Sequence, residues 1–203
     1  MTVAARVDFH PVTPERWDDM TRLFGPRGAC AGCWCMWPRL RGGEFARLKG
    51  EGTRRRMRAL VAAGGAPGIL AYVQGEPIGW CAVAPRAEYS RLDSSRVMAP
   101  VDEQPVWSVP CLFVARAWRG QGLPARLLGE AARFAADRGA RVLEGYPIDT
   151  AGKRQADAFL WHGVVSSFTH AGFREVARRS PTRPIMRKTL RPRAGDKARG
   201  SHG

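Results

Sequence analysis

The chain has few acidic side chains, with 18 Asp and Glu against 33 Lys and Arg, so its formal net charge is +15 over 203 residues. An excess of this size attracts phosphate groups, nucleic acids or anionic surfaces, but net charge alone supports only non-specific attraction. The chain also lacks an apolar run long enough to cross a bilayer, and residues 1–9 lack the apolar segment of a signal peptide. We therefore expect no membrane association and a cytoplasmic location.

Cysteines are few and odd in number, which excludes a regular disulfide framework and suits a reducing compartment. Cys30, Cys33 and Cys35 are crowded together, and the spacing of the first two resembles half of a zinc site. No second such pair follows, and Cys81 and Cys111 lie in predicted strands, where a small buried side chain is the usual explanation. The sequence therefore predicts no bound metal.

Hydrophobic periodicity and turn residues predict one domain over residues 1–190 and a basic, disordered tail over 191–203. The predicted elements are, in order, a helix after Thr13-Pro14, a helix capped by Thr53, a hairpin of strands 69–73 and 78–83, a strand 106–114, a helix ending near Gly139, a strand 142–146, a helix 163–171, and strands 173–177 and 184–189. An antiparallel hairpin thus precedes the strand 106–114, which has the clearest strand pattern, and a helix follows this strand at once.

The chemistry is predicted at the turn between this strand and its helix. Glycines there let backbone N–H groups face a ligand, and the helix start adds unpaired donors and the positive end of its dipole. These features predict an anion site suited to a pyrophosphate, with Arg119 supplying direct charge. The predicted binding residues at the turn are Arg119, Gly120, Gln121, Gly122, Leu123, Pro124 and Ala125.

A dinucleotide-binding fold is one alternative for this turn. The segment 120–125 fits G-x-G-x-x-A, and Glu144 lies where the ribose-binding acid of that fold is expected. However, that fold needs several further strand-helix units, and fewer than 60 residues follow Glu144. An antiparallel hairpin also precedes the motif, so we reject this alternative.

The order of elements over residues 6–190 resembles the GNAT superfamily of acyl-CoA-dependent N-acyltransferases. The segment 119–124 is similar to the family signature Q/R-x-x-G-x-G/A, and Gly172-Phe173 resembles the pair that closes the family's last helix. Segments 33–37, 107–111 and 144–147 look like an actinobacterial branch of it. The resemblance implies a mixed α/β fold in which helices flank a mostly antiparallel sheet, with a V-shaped acyl-CoA cleft. It also implies transfer of an acetyl or similar acyl group from acetyl-CoA to an amine.

Two positions depart from the family pattern. Pro124 stands where Gly or Ala is usual and removes one phosphate donor, but proline is tolerated in the first turn of a helix. Phe168 stands where many relatives carry a tyrosine that protonates the leaving thiolate. The resemblance therefore leaves Tyr146, Ser167 or water as the acid.

The other site roles implied by the resemblance are an oxyanion contact and a base. Backbone amides near Phe113 and Val114 are expected to polarise the thioester carbonyl. Glu144, Glu103 and His162 are the candidates for deprotonating the acceptor amine. The loop that carries Cys30, Cys33 and Cys35, here called the cysteine loop, is expected to pack over the acceptor side of the cleft.

A different class of function stays open on the charge alone. A GNAT-type fold with this basic balance also suits RNA binding, or an aminoacyl-tRNA as acyl donor, although a pure binding module would have little reason to keep the phosphate turn. The expected partners are otherwise an acyl-CoA and a small-molecule or peptide amine, in a monomer or homodimer. The sequence does not identify the amine.

Overall fold

A computed structural model describes residues 6–152 and 161–191. The helices are α1 (Trp17–Phe24), α2 (Gly42–Leu48), α3 (Glu51–Ala62), α4 (Ser90–Asp93), α5 (Leu123–Ala136) and α6 (Val165–His170). The strands are β1 (Asp8–Pro11), β2 (Gly68–Val73), β3 (Glu76–Ala82), β4 (Ala84–Pro85), β5 (Trp107–Val109), β6 (Leu112–Val114), β7 (Val142–Gly145), β8 (Arg174–Arg178) and β9 (Pro184–Thr189).

The strands form two sheets. The first has the order β1-β2-β3-β6 and is antiparallel throughout, and the second has the order β4-β5-β7-β9-β8. Among the strand pairs of the described residues, only β5–β7 is parallel. The β2–β3 hairpin turns at Gln74-Gly75, where both residues have positive φ, as a two-residue turn requires. The predicted mixed, mostly antiparallel fold with flanking helices is confirmed.

Helices cover both faces of the first sheet. On one face α5 packs its apolar stripe, including Leu127 and Leu128, against β2 and β3. Gly79 permits this approach, because a Cβ there would lie 3.1 Å from the Leu127 side chain. On the other face, Met20 of α1 and Met57 of α3 are buried with Trp80. The central strands are therefore buried on both sides, which explains their continuous apolar runs.

The structure corrects three element boundaries. The predicted strand 106–114 is two strands, because Pro110 cannot donate to a ladder and the chain changes sheets there. The second helix begins at Glu51 and not after Thr53, which is its third residue. The Thr53 hydroxyl accepts from the Gly50 N–H at 3.1 Å, a contact that caps the helix start, and donates to the Gly32 carbonyl at 2.7 Å. Between the first two predicted helices lies α2, which was not predicted because it is too short to show a clear period.

The predicted strand 184–189 is β9, with the same bounds. Residues 192–203 of the predicted basic tail lie outside the described residues. No helix within 6–152 and 161–191 is both long and apolar enough to span a membrane.

Candidate active site

The cleft opens where the chain passes from β5 of the second sheet to β6 of the first. The β5 strand pairs with β7 as far as Val109 and Gly145, and after Pro110-Cys111 the chain pairs with β3 as β6. Pairing between β7 and this stretch of chain therefore stops at Val109. Strands β6 and β7 are therefore not paired with each other, and the cleft lies beside β6.

This cleft has a volume of about 580 Å³. Its walls come from β6, from the turn before α5, from the start of α6 and from the cysteine loop. The lining residues are Ala29, Cys30, Leu112, Phe113, Val114, Arg119, Gly120, Gly122, Pro124, Trp161, Gly163, Val164 and Ser167. Arg119 is the sole charged residue of this lining, so the electrostatics of the described wall favour an anion.

The turn before α5 presents a row of backbone amides to this cleft. Gly120 and Gly122 both have φ of +74°, a conformation that L side chains rarely adopt. Within residues 6–152 and 161–191, the N–H groups of 120–123 have no hydrogen-bond partner, while the Ala125 N–H donates to the Gly122 carbonyl at 3.2 Å. Consecutive unpaired amides at a helix N-terminus form a phosphate-binding cradle.

Strand β6 directs one further amide toward the cleft. The Ala115 N–H donates to Ile78 of β3 and the Cys111 carbonyl accepts from Ala82, so the odd-numbered residues face β3. Amides alternate between the two edges of a strand, and the Leu112 N–H accordingly donates away from β3, to the Trp161 carbonyl at 2.7 Å. The Val114 N–H lies on this same edge, and the Val114 carbonyl accepts a hydrogen bond from Arg119 of the turn at 3.0 Å.

A second, smaller pocket of about 190 Å³ adjoins the cleft. Its lining shares Ala29, Cys30, Leu112, Phe113 and Trp161 with the cleft, so the two cavities meet at the middle of β6. The other lining residues are Ala31, Cys33, Cys35, Trp37, Pro38, Phe45, Lys49 and Cys111. We call this cavity the side pocket; it is mostly aromatic and thiol-lined.

The cysteine loop has an unusual backbone and a close sulfur contact. Ala29, Ala31, Trp34 and Cys35 all have positive φ, which non-glycine residues adopt only when the surroundings impose it. The Cys35 thiol lies 2.9 Å from the Cys111 thiol and accepts a hydrogen bond from the Trp80 indole at 2.8 Å. All five cysteines are free thiols.

The thiols of the side pocket differ in acidity. A hydrogen bond from the Cys35 side chain, together with backbone amides of the loop, lowers the pKa of Cys33 to about 6. Burial raises the pKa of Cys35 well above its ordinary value, and it raises the pKa of Cys30 as well. At neutral pH Cys33 is therefore the thiolate of this cluster. In the described part of the chain, no group of three or more His, Cys, Asp or Glu side chains is arranged to hold a metal ion.

Comparison with known proteins decides the family. The model of the acetyltransferase (GNAT) family matches residues 31–155, more than half of the chain. The chain belongs to the GNAT acetyltransferase family. The predicted family is confirmed, whereas the actinobacterial branch stays a prediction. No curated protein sequence gives a significant match.

Solved structures share the GNAT fold at low sequence identity. A GNAT acetyltransferase from Listeria monocytogenes has a TM-score of 0.55 at 10% identity, covering 93% of this chain and 99% of its own. A GNAT-family protein from Desulfovibrio desulfuricans has a TM-score of 0.52 at 18% identity, with coverage of 91% and 99%. The PaiA N-acetyltransferase of Thermoplasma acidophilum, solved with coenzyme A, has a TM-score of 0.52 at 11% identity and the same coverages. At these identities the likeness concerns the fold alone.

Of the candidate acids and bases of this GNAT chain, the cleft lining contains only Ser167. Ser167 lies in the first turns of α6 and is partly exposed, directly before the fully buried Phe168. Helical geometry therefore turns the phenylalanine into the core and leaves the serine hydroxyl at the cleft.

Glu144 and Tyr146 lie in a buried polar network instead of the cleft lining. The Glu144 carboxylate accepts hydrogen bonds from the Tyr146 hydroxyl at 2.7 Å, from Arg187 at 2.7 Å and from Arg86 at 3.3 Å. Ser108 also contacts the Tyr146 hydroxyl, at 2.9 Å. Burial, followed by the Glu144 charge, raises the pKa of Tyr146 well above its ordinary value. This geometry favours a structural role for both residues.

Glu103 and His162 are not in the cleft lining either. Glu103 is exposed in the connection before β5. His162 is buried, with its ring centroid 3.6 Å from that of Trp161. Burial, aided by the charge of Arg183, lowers the pKa of His162 to about 3, so its imidazole is neutral at physiological pH.

Sequence reasoning missed three residues of the site and its support. Trp161 and Cys30 line both cavities, and Arg86 holds the Glu144 network together. Nothing in the local pattern singles out Trp161 or Arg86. The crowding of the cysteines did single out Cys30, as a metal ligand to be rejected and as part of the loop expected over the cleft, but not as a residue that lines both cavities.

Proposed function

We propose that this chain is an N-acyltransferase that transfers an acetyl or similar acyl group from acyl-CoA to an amine. The observation that carries the proposal is the cradle of unpaired amides at 120–123, which opens onto the cleft beside the Val114 N–H. The cradle suits the CoA pyrophosphate. The Val114 amide is the donor for the thioester oxygen, which gains negative charge as the amine attacks.

In this reaction the acceptor nitrogen attacks the thioester carbon, and the tetrahedral intermediate then expels the CoA thiolate. Ser167, across the cleft from β6, is the hydroxyl placed to donate a hydrogen bond to that thiolate. Because the cleft is open, water returns the proton to the serine. Phe168 can take no part, since it is fully buried.

The side pocket indicates the class of acceptor. It meets the cleft at Phe113, where the acyl carbon is expected, and aromatic rings of Trp37, Phe45 and Trp161 line it. Lys49 and Arg119 are the cationic residues among the described lining of the two cavities, and the Cys33 thiolate is the anionic group there. An apolar monoamine fits this lining, whereas a polycation would meet like charges and no carboxylate.

Binding experiments test the donor. Calorimetry should show that acetyl-CoA binds. Acetyl-CoA should also raise the Tm of the chain, and this rise should persist at moderate salt, because defined amide contacts hold the pyrophosphate. Bulk tRNA should bind only weakly and lose its affinity steeply with salt. Salt-resistant tRNA binding without acetyl-CoA binding would overturn the proposal in favour of an RNA-directed function.

Steady-state assays test the acceptor. With acetyl-CoA saturating, kcat/KM for phenylethylamine should exceed that for spermidine by at least about tenfold, a difference of roughly 1.4 kcal/mol. A Lys49→Glu variant should narrow this ratio by improving the polyamine. A preference for spermidine in the unmodified chain would contradict the assignment of acceptor class while leaving the donor site intact.

A further inference from the structure

Cys35 and Cys111 form a pair of buried thiols at the floor of the side pocket. Their side chains come from segments 76 residues apart, and their sulfur atoms lie 2.9 Å from each other. A disulfide requires about 2.05 Å, so a movement of less than about 1 Å would join them. Both residues are almost fully buried, at 1% and 6% exposure, and this burial hides them from direct attack by most oxidants.

Cys33 is the thiol of this pocket that an oxidant can reach. It lines the same pocket, is partly exposed, and its thiol interacts with that of Cys35. Its lowered pKa keeps it ionised at neutral pH, and the thiolate is the form that attacks disulfides. A thiol of low pKa is also a good leaving group when a neighbouring sulfur attacks in turn.

We propose that Cys35 and Cys111 form a thiol/disulfide redox site. A small-molecule disulfide that enters the side pocket oxidises this site, and Cys33 is the residue that reacts with it first. The Cys33 thiolate attacks the disulfide and releases one thiolate. Cys35 then attacks the Cys33 sulfur, which forms a Cys33–Cys35 bond, displaces the second thiolate and passes the Cys35 proton to it. Cys111 attacks the Cys35 sulfur in turn, which forms the Cys35–Cys111 bond and frees the Cys33 thiolate, and the Cys111 proton goes through water to the first thiolate. The net reaction oxidises the two protein thiols to one disulfide and reduces the small disulfide to two thiols.

The location of the pair gives this bond a structural consequence. Cys35 belongs to the loop with positive φ values, and Cys111 immediately precedes β6, which carries the Phe113 and Val114 wall of the cleft. Oxidation would therefore link the cysteine loop covalently to the residue that precedes β6. This inference does not depend on acyl transfer, and its test needs no acetyl-CoA.

The experiment uses the full chain, with glutathione disulfide as the probe. After oxidation, free thiols are alkylated and the chain is cleaved with trypsin, which separates Cys35 in residues 28–39 from Cys111 in residues 97–116. We expect these two peptides to be joined, with fragmentation placing the bond at Cys35 and alkyl groups on Cys30 and Cys33. Dithiothreitol should reverse it. A bond between Cys30 and Cys33, or a stable glutathione adduct alone, would overturn the proposal.

Two variants test the route. Cys33→Ser should give the same product at least about tenfold more slowly. Cys111→Ala should stop the relay at a disulfide between Cys33 and Cys35, within the 28–39 peptide and without bound glutathione. Cys81→Ala, which removes another fully buried thiol, is the matched control and should behave as the unmodified chain. Cys33→Ser reacting at the full rate would overturn the relay. If Cys111→Ala does not fold, the peptide map of the unmodified chain decides.

Thermal unfolding supplies an independent readout. A native disulfide that closes so long a loop should raise the Tm by about 10 °C on oxidation, and reduction should restore the original value. A lower Tm would show that the bond forms only by distorting the fold and would overturn the site.

Discussion

The Tyr146 hydroxyl donates a 2.7 Å hydrogen bond to the Glu144 carboxylate, and neither side chain reaches the cleft lining. Arg86 contacts both groups, and Arg187 pairs with the other carboxylate oxygen at 2.7 Å. These contacts link β7 to β9 and to the segment after β4. The network therefore fixes β7 within the second sheet.

Replacement of Glu144 by glutamine should therefore act mainly on stability. The change leaves two arginines facing a buried neutral amide, and breaking a buried ion pair in this way costs about 3 kcal/mol. Chemical denaturation measures that loss. Turnover by the folded fraction should change by less than about threefold, whereas a hundredfold loss with an altered acidic limb of the pH profile would establish Glu144 as the base.

Glu130→Gln is the matched control for this variant. Glu130 also pairs with an arginine, Arg133, but on the surface of α5, where an ion pair contributes about 0–1 kcal/mol. The control should unfold close to the unmodified chain. Equal losses in both variants would show that burial of the Glu144 network has no energetic consequence.

Ser167→Ala should lower kcat by about tenfold with little effect on the Kd of acetyl-CoA. The serine hydroxyl lies in the cleft lining and is the group we assign to the departing thiolate, while water can replace it in part. Ser166→Ala is the matched control, because Ser166 is exposed and outside that lining. An unchanged kcat in Ser167→Ala would assign protonation to solvent.

The sequence predicted the fold and a glycine-rich turn before α5 because both leave local signals. Gly120 and Gly122 have open space around them, so their presence reflects backbone conformation, which a sequence motif records directly. The acid-base candidates depended on the orientation of single side chains. Whether Glu144 faces the cleft or the interior follows from Arg86 and Arg187, which are 58 and 43 residues away in sequence. No local pattern reports such contacts.

Gly122→Val should weaken acetyl-CoA binding by at least about tenfold. Its φ of +74° is strained for any L residue and most for a β-branched one, so the turn would rotate its amides away from the pyrophosphate. Gly129→Ala in the middle of α5 is the control, since its added Cβ meets nothing within 4 Å. Calorimetry compares the two. Equal affinities would remove the phosphate turn from the binding site.

His162 should make the chain sensitive to mild acid. Its pKa is about 3 in the folded chain and about 6.5 when unfolded, so below pH 6.5 the unfolded state binds a proton that the folded state does not. The free energy of unfolding should fall by about 1.4 kcal/mol per pH unit from this group as pH decreases from 6.5 toward 3. His162→Gln should lose that slope, whereas His170→Gln, which alters an exposed histidine, should keep it. Identical slopes in all three chains would contradict the neutral, buried state of His162.

The acceptor amine must lose its ammonium proton before it can attack the thioester. No carboxylate lies among the described residues that line the two cavities, and the cleft is open, so we expect the acceptor to enter as its free base. The rate at low acceptor concentration should then rise with pH up to the pKa of the amine itself. Phenylethylamine and a side-chain-fluorinated analogue of lower pKa supply the comparison, because their bodies are nearly alike. The midpoint of kcat/KM should move with the amine pKa.

A protein base would give a different pattern. Both amines would then share an additional ascending limb whose midpoint does not depend on the acceptor. A shared limb near pH 6 that disappears in Cys33→Ser would identify the side-pocket thiolate, whose pKa lies there, as the base. A shared limb that survives this change but disappears in Glu103→Gln would identify the exposed carboxylate instead, acting through water. Either result would contradict deprotonation in solvent, and the two variants separate one source from the other.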